Sequence, residues 1–399
     1  MDKLSNYDFV LLDDDELLLK LEKQFLKKLG ATNVYTYQSV KELTPEFQLH
    51  NTQNTILLCD LKLPDIDGVE LIRQLAQQQF QGYIVIVSGT EHRIIDSVVT
   101  MAKGLHLKVL GGMQKPIHFP SFSKILQKLQ YKEQQEVVRT PYKIDEKKLR
   151  TAINNEDIFL VYQPKVRVEN AKFVGAEVLA RWQHAEYGVI PPLIFIELAE
   201  KHGLISDLTY YILNKTFQQL AKWQQHNLLV PVSVNISEAD LQYIDLPEHI
   251  MTLSHRYDID PSLITLEITE SCLIGDVPQR LEVISRLRLR NIGLSIDDFG
   301  TGYSSLEKLR NIPFTELKID KSFIQYVNSS KDDYNIVKAN IELAKVLGLQ
   351  TVAEGVEEKE QIAILKELGC DIIQGYYYSK PLPADEFEVW LRKHLAIKN

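Results

Sequence analysis

Acidic and amide side chains follow a series of short apolar runs in the second part of the chain. With one lysine among them, they are Glu177, Asn235, Glu267, Glu270, Asp297, Asp298, Lys318, Asp320, Glu354, Glu357 and Gln374. A carboxylate on a buried strand costs several kcal/mol unless a cation or another partner compensates it. Oxygen ligands without His or Cys favour hard cations. The set therefore predicts a site for Mg²⁺ or Mn²⁺.

The adjacent pair Asp297 and Asp298 indicates that this site holds two ions, because one carboxylate can serve both. Two metal ions about 3.5–4 Å apart activate a water molecule and neutralise the phosphoryl oxygens of an in-line displacement. The predicted reaction class is phosphodiester hydrolysis.

A second set of chemically active side chains ends the apolar runs near the N-terminus. Its members are Asp13, Asp14, Asp60, Ser88 and Lys115. In an open α/β sheet the functional groups gather at the carboxyl ends of the strands. Carboxylates packed there repel each other unless a hard cation lies between them, which predicts Mg²⁺. Any one of these aspartates could instead be a turn residue or a helix cap, but the ordered set favours a site.

The pattern of apolar runs predicts two domains. Residues 8–128 alternate runs such as TILLCD and YIVIVSG with amphipathic stretches, which predicts a doubly wound, flavodoxin-like α/β fold. Beyond a polar, charged connector, roughly 250 residues repeat this rhythm and predict a (β/α)₈ TIM-type barrel. The predicted boundaries are 1–128, a linker at 129–147, and 148–399.

Composition limits the possible partners. The formal charge is −9 over 399 residues, which argues against binding nucleic acid through clustered Lys and Arg. We expect no export signal and no membrane span, because no basic segment precedes a long apolar one near the N-terminus and no run approaches about 18 apolar residues. The three separated cysteines fit a reducing, cytoplasmic location.

Residues 8–128 resemble a response-regulator receiver domain. The likeness includes the stretch Leu63-Pro64-Asp65-Ile66-Asp67-Gly68 after the acid at position 60. It implies that Asp60 accepts a phosphoryl group from a cognate sensor histidine kinase. The same likeness implies that Mg²⁺ is held by Asp13 and Asp14, and that the phosphoryl oxygens are contacted by Ser88 and Lys115.

One position departs from the receiver pattern. Receivers usually carry an aromatic switch residue three positions before the lysine, and here that position is Gly112. The segment between Ser88 and Lys115 is also longer than is usual in the family. We therefore expect this domain to signal through its last loop and helix rather than by rotation of a ring.

Residues 146–399 resemble an EAL-domain cyclic di-GMP phosphodiesterase, with the motif present as Glu177-Val178-Leu179. The resemblance implies two metal ions held by Glu177, Asn235, Glu267, Asp297, Asp298 and Glu354. It also implies that Lys318 positions the attacking water and that Glu354 is a candidate proton acceptor. Together with the receiver, the layout is most like RocR-type regulators.

The same resemblance implies further contacts around the metals. Glu270 would anchor the loop at 298–305, which in the family connects the metal site to a dimer interface, so we expect a homodimer or a larger homo-oligomer. Nucleotide contacts would come from Gln163, Leu179, Arg181, Asp320 and Gln374. Glu270, Glu357 and Asp320 could each instead be a helix cap or an ion-pair partner.

Three functions are compatible with these residues. The leading one is an enzyme that hydrolyses cyclic di-GMP to linear pGpG under control of phosphorylation at Asp60. The first alternative is a receptor that binds cyclic di-GMP without turnover and acts through protein contacts. The second is a phosphorelay adaptor for which the barrel is dispensable.

The missing aromatic switch generates a prediction for the receiver. Binding of a phosphoryl mimic to Asp60 should change the protection of amides within residues 100–128, because the output is expected to pass through the last loop and helix. Hydrogen exchange with and without the mimic measures this. Unchanged protection in that segment would remove support for the expected output route.

Overall fold

The computed structural model describes residues 4–46, 50–115, 122, 125–126, 142, 144–270, 278–300 and 306–396. The chain divides into two compact units, residues 1–142 and 143–399. Most of the predicted linker, 129–147, lies outside the described residues, and a helix begins within its last part at Glu146.

The first unit is a parallel five-stranded sheet with the strand order β2-β1-β3-β4-β5. Its strands are β1 (Asp8–Leu12), β2 (Asn33–Tyr37), β3 (Thr55–Cys59), β4 (Tyr83–Ser88) and β5 (Lys108–Gln114). Its helices are α1 (Glu16–Lys28), α2 (Val40–Leu43), α3 (Gly68–Gln77) and α4 (His92–Gly104). Strands β3 and β4 are buried along their whole length, as in a sheet covered on both faces. The predicted doubly wound fold is confirmed.

The backbone of β5 lies unusually close to α4 at Gly112. A Cβ atom at this position would lie 2.3 Å from Ile95 Cγ2 and 3.1 Å from Val99 Cγ2. Ile95 is fully buried. The place where receivers usually carry a ring is therefore filled by the side chains of α4.

The second unit is built on eight strands that close into a barrel. In order around the ring they are β6 (Ile158–Arg167), β7 (Phe173–His184), β9 (Val232–Asn235), β10 (Ile264–Thr269), β11 (Gly293–Phe299), β12 (Glu316–Ile319), β13 (Gln350–Ala353) and β14 (Ile372–Gln374). Two short strands pair at the margins, β8 (Gly188–Ile190) and β15 (Leu382–Pro383). The predicted eight-stranded barrel is confirmed.

The helices of this unit begin with one that precedes the strands, and the rest lie between or after the strands. They are α5 (Glu146–Asn154), α6 (Pro192–Lys201), α7 (Ile205–Gln225), α8 (Leu246–Tyr257), α9 (Pro278–Leu289), α10 (Leu306–Asn311), α11 (Lys321–Ile324), α12 (Lys331–Leu347), α13 (Lys359–Leu368) and α14 (Ala384–Ala396). Among the described residues, no helix is both long enough and apolar enough to cross a membrane.

The barrel differs from a regular (β/α)₈ barrel in its first strand. Strand β6 runs antiparallel to both of its neighbours, β7 and β14. Only residues 168–172 connect β6 to β7. A parallel connection needs a crossover of about a dozen residues or more, so this short link permits only a hairpin.

The strands of the barrel alternate between an apolar outer face and a polar inner face. On β10, Leu266 and Ile268 belong to the hydrophobic core between strands and helices, whereas the side chain of Glu267 lies inside the barrel. The same alternation places Ser233 and Lys318 inside. The inner face of the barrel is therefore polar, because period-2 alternation sends every second residue of a strand inward.

The packing at Gly112 generates a prediction about stability. Gly112→Ala should lower the free energy of unfolding of the first unit by about 1–3 kcal/mol, because the added methyl overlaps Ile95. Amide hydrogen exchange of residues 8–115 in the full chain measures it. Gly104→Ala is the matched control, since a Cβ there meets nothing within 4 Å. Equal protection in both variants would contradict the close packing.

Candidate functional site

Lys318 lies at the centre of the candidate site inside the barrel. Its Nζ is 2.6 Å from Glu267 Oε2, 2.6 Å from Glu354 Oε1, 3.0 Å from Asp297 Oδ1 and 3.8 Å from Glu177 Oε2. The lysine is buried, which alone would lower its pKa, but the carboxylates, Glu177 first, raise that pKa well above its ordinary value. Lys318 is therefore a permanent positive charge among four acids.

Amide side chains orient the carboxylate of Glu177. Asn235 Nδ2 donates to Glu177 Oε1 over 2.9 Å, and Gln374 Nε2 donates to Glu177 Oε2 over 2.5 Å. Gln374 Nε2 also donates to Gln163 Oε1 over 2.9 Å. Gln374 Oε1 is buried without a hydrogen-bond partner among the described residues. The structure therefore brings together both amides that were predicted to contact substrate and two predicted metal ligands.

Three carboxylates at the end of this cluster could hold a cation. Asp297, Asp298 and Glu354 each offer an oxygen, and these atoms lie within 4.8 Å of one another. Burial, followed by the charge of Asp297, raises the pKa of Asp298 to about 6, and burial raises that of Glu354 to about 8 against the influence of Lys318. Lys318 alone therefore does not balance the negative charge of these three carboxylates. Their donor atoms are all oxygens, which suit a hard divalent cation.

Glu270 contacts the backbone that follows the aspartate pair. Its Oε2 accepts a hydrogen bond from the Gly300 N–H over 3.0 Å. Gly300 has a φ of 96° and Asp298 a φ of 55°, so the chain turns sharply here. Residues 301–305 of the predicted loop lie outside the described residues. The contact is the one expected of an anchor, and the role of Glu270 stays a prediction.

The other predicted substrate residues have local partners. Asp320 caps α11 by accepting from the Ser322 N–H over 2.9 Å, as the alternative of a helix cap anticipated. Arg181 Nη1 donates to the Ala180 carbonyl over 2.8 Å, and Leu179 is partly exposed on β7. Their nucleotide contacts stay predictions.

Sequence reasoning missed a second buried lysine. Lys165 Nζ lies 2.8 Å from Glu267 Oε1, 2.8 Å from Ser233 Oγ and 3.2 Å from Glu316 Oε1. Burial would raise the pKa of Glu267, but Lys165 and Lys318 together lower it to about 2. The signal that could have found Lys165 is its spacing of two from Gln163, because residues i and i+2 share a strand face.

The first unit carries its own acidic site at the carboxyl ends of the strands. Lys115 Nζ lies 2.5 Å from Asp13 Oδ2 and 2.6 Å from Asp60 Oδ2. Oxygens of Asp13, Asp14 and Asp60 lie within 4.8 Å of one another. Ser88 Oγ is buried and has no hydrogen-bond partner among the described residues. All five predicted receiver residues thus lie at the same end of the sheet.

Sequence reasoning also missed a buried acid next to this site. Glu22 on α1 is only 4% exposed and takes a position on the buried face with Leu19 and Leu26. Burial, reinforced by the charge of Asp13, raises its pKa to about 8. The amphipathic pattern of α1 places position 22 on the inner face, which was the available signal.

A flavodoxin-like unit with an acidic edge, followed by a barrel with an acidic interior, defines a class of two-domain signalling proteins. The response regulator receiver domain matches residues 9–127, and the EAL domain matches residues 146–381. The chain belongs to the EAL-domain family and carries an N-terminal receiver domain.

Known proteins share one or both domains. The cyclic di-GMP phosphodiesterase RocR of Pseudomonas aeruginosa is 32% identical over 389 residues, which cover 96% of this chain and 98% of RocR. The oxygen sensor protein DosP of Escherichia coli is 39% identical over 251 residues, 63% of this chain but only 31% of DosP. The structure of the PaMucR phosphodiesterase in complex with c-di-GMP superposes with a TM-score of 0.58 at 38% identity, covering 60% of this chain and 97% of that one.

The buried acid at position 22 generates a prediction about pH. The pKa of Glu22 is about 4.5 in the unfolded chain and about 8 in the folded state. An acid whose pKa is raised on folding makes the folded state less stable as pH rises between these two values. Glu22→Gln should therefore stabilise the metal-free first unit by about 2 kcal/mol at pH 8 and by much less at pH 5. Hydrogen exchange of residues 8–115 at both pH values, corrected for intrinsic rates, measures it.

The exposed Glu16 on the same helix supplies the control. Glu16→Gln removes an exposed carboxylate that pairs with exposed Lys20, so its effect should stay within about 0.5 kcal/mol at both pH values. A Glu22→Gln variant that is no more stable than wild type at pH 8 would contradict the raised pKa.

Proposed function

We propose that the chain is a cyclic di-GMP phosphodiesterase that produces linear pGpG and is regulated by phosphorylation of Asp60. The observation that carries this proposal is the convergence of Glu177, Glu267, Asp297 and Glu354 on Lys318 inside the barrel. The family, the cyclic di-GMP phosphodiesterase RocR and the c-di-GMP complex of the PaMucR phosphodiesterase support the same substrate. The proposed domain limits are 1–128, 129–147 and 148–399.

The proposed cofactor is a pair of Mg²⁺ or Mn²⁺ ions. Glu177, Asn235, Glu267, Asp297, Asp298 and Glu354 would hold them, and these residues supply only oxygen ligands, which fits hard cations. When bound, such ions lower the pKa of a water molecule and neutralise phosphoryl oxygens. The excess of carboxylates over Lys318 at the end of the cluster supports this fit.

The residues of the chain would divide the remaining work. A water oxygen forms a new bond to phosphorus while one ester P–O bond breaks, and the leaving oxygen becomes a hydroxyl by taking up the proton that the water releases. Glu354 would accept the proton of the water, and Lys318, 2.6 Å from Glu354, would orient that water. Arg181 would pair with a phosphate, while Gln163, Leu179, Asp320 and Gln374 would position the nucleotide.

Control would originate in the receiver. In the proposed scheme a sensor histidine kinase supplies the phosphoryl group, Asp13 and Asp14 hold Mg²⁺ beside Asp60, and Ser88 and Lys115 bond the phosphoryl oxygens. The unpartnered hydroxyl of Ser88 supports this role. Because Ile95 occupies the place of a switch ring, the structural change on phosphorylation would pass through the last loop and helix of the receiver. In a homo-oligomer it would then reach the loop at 298–305. A coupling of about 1.4 kcal/mol changes activity tenfold.

Turnover assays test the proposal. Wild type with cyclic di-GMP and Mg²⁺ or Mn²⁺ should yield linear pGpG. Glu354→Ala should reduce kcat by about 10²–10⁴-fold, because it removes both a metal ligand and the proton acceptor. Asp60→Ala should abolish the change in activity that a phosphoryl mimic produces in wild type. Chromatography of the nucleotide products measures all three.

The outcomes separate the alternatives. Cyclic di-GMP that binds to wild type and is recovered intact would favour a receptor without turnover. Glu354→Ala that leaves every output unaltered would favour an adaptor for which the barrel is dispensable. Glu358→Ala is a matched control, because it removes an exposed carboxylate near Glu354 in sequence that caps α13. It should leave kcat within about twofold of wild type.

A further inference from the structure

Lys165 faces the interior of the barrel on β6, the strand that runs antiparallel to its two neighbours. Tyr162 and Val166 on this strand belong to the outer hydrophobic core, whereas Gln163 and Lys165 face inward. Gln163 lies beside Gln374 at the nucleotide end of the interior. Lys165, two residues later on a strand of opposite direction, lies deeper, towards the amino ends of the parallel strands.

The carboxylate of Glu267 is held from two sides. Lys165 Nζ is 2.8 Å from its Oε1, and Lys318 Nζ is 2.6 Å from its Oε2. The two lysines differ in their other contacts. Lys318 also contacts Asp297 and Glu354, two of the acids that would hold the ions. Lys165 contacts neither of these two acids in the described structure, and Glu267 is the proposed metal ligand that it contacts.

Side chains towards the amino ends of the parallel strands contact Lys165 itself. Its ammonium donates to Ser233 Oγ over 2.8 Å and to Glu316 Oε1 over 3.2 Å. Ser295 Oγ donates to the same Glu316 oxygen over 2.8 Å. A row of alternating charges thus extends from the amino ends of the strands through Glu316, Lys165 and Glu267 to Lys318.

We propose that Lys165 is a positioning residue that fixes the Glu267 carboxylate and thereby sets the affinity and geometry of the divalent-cation site. The inference rests on the proposed function, in which Glu267 is a metal ligand. When a hydrogen bond fixes one oxygen of a carboxylate ligand, the other oxygen is presented to the metal ion in one orientation. Loss of such an outer partner typically weakens metal binding or activity 10–100-fold.

The direction in which cation affinity changes distinguishes a positioning role of Lys165 from a purely electrostatic one. Removing a positive charge beside a cation site would, by electrostatics alone, strengthen cation binding. Removing a positioning contact weakens it. Lys165→Met, which keeps the length of the side chain and deletes the ammonium, therefore distinguishes the two.

A cavity beside Lys165 allows the protein to tolerate Lys165→Met. Lys165 borders a cavity of about 280 Å³ at the amino ends of the strands, lined also by polar groups that include Arg167, Thr265, Glu316 and Gln350. Water in such a cavity can solvate the carboxylates that Lys165 leaves behind. As a second variant, Lys165→Met combined with Glu316→Gln removes one charge of each sign and keeps the interior balanced.

The test measures Mn²⁺ binding to the full chain by titration calorimetry, with melting temperature and steady-state kinetics alongside. Lys165→Met should raise the Kd for Mn²⁺ at least tenfold and lower kcat at saturating Mn²⁺, with the KM for cyclic di-GMP within about twofold. The double variant should regain melting temperature while its Mn²⁺ affinity stays weak. Glu316→Gln alone keeps an acceptor for Lys165 and should change the Kd by less than about threefold.

Each other outcome overturns the inference. An unchanged or tighter Kd in Lys165→Met shows that Lys165 does not position Glu267. A double variant that regains both stability and Mn²⁺ affinity shows a purely structural role, and if the single variant does not fold, the double variant decides. A wild-type chain that neither binds Mn²⁺ nor hydrolyses cyclic di-GMP overturns the proposed function as well, which distinguishes the two failures.

Discussion

The ion pair between Glu267 and Lys318 lies at the centre of the barrel, and the arrangement of the surrounding acids depends on it. A buried charge is tolerated only when its partners compensate the lost hydration. Lys318 compensates several carboxylates at once, and Lys165 supports Glu267 from the opposite side. Because these side chains belong to different parts of one closed barrel, the barrel determines where each acid lies. The apolar core is consequently displaced to the layer between strands and helices.

The first unit solves a similar problem on an open sheet. Lys115 lies between Asp13 and Asp60, as Lys318 lies among the barrel acids. In both units a lysine from a different strand holds the carboxylates together, and in both the acids outnumber the lysine. The repulsion that remains favours divalent cations, which carry two charges in a small volume.

Residue order along the chain was sufficient to predict both folds and most of the clustered acids, because strand ends in parallel sheets meet at one edge. It was not sufficient for Lys165 and Glu22, whose importance depends on which side chains surround them in space. The alternation in ITLEIT and TELKID does indicate a polar inner face, and the five residues after Arg167 are too few for a parallel crossover. The cap made by Asp320 and the contact of Ile95 at Gly112 required coordinates, since both depend on distances of a few ångströms.

The reversed first strand also determines where the polypeptide joins the barrel. Ile158 pairs with Trp182, towards the carboxyl end of β7, so α5 leads into the barrel at the rim where the acids are found. A parallel first strand of ten residues would have started roughly 33 Å away, at the opposite opening. Gln163 lies five positions after Ile158 on the same strand. A displacement of α5 along its axis would therefore reach the part of the interior where Gln163 lies without passing through the hydrophobic layer.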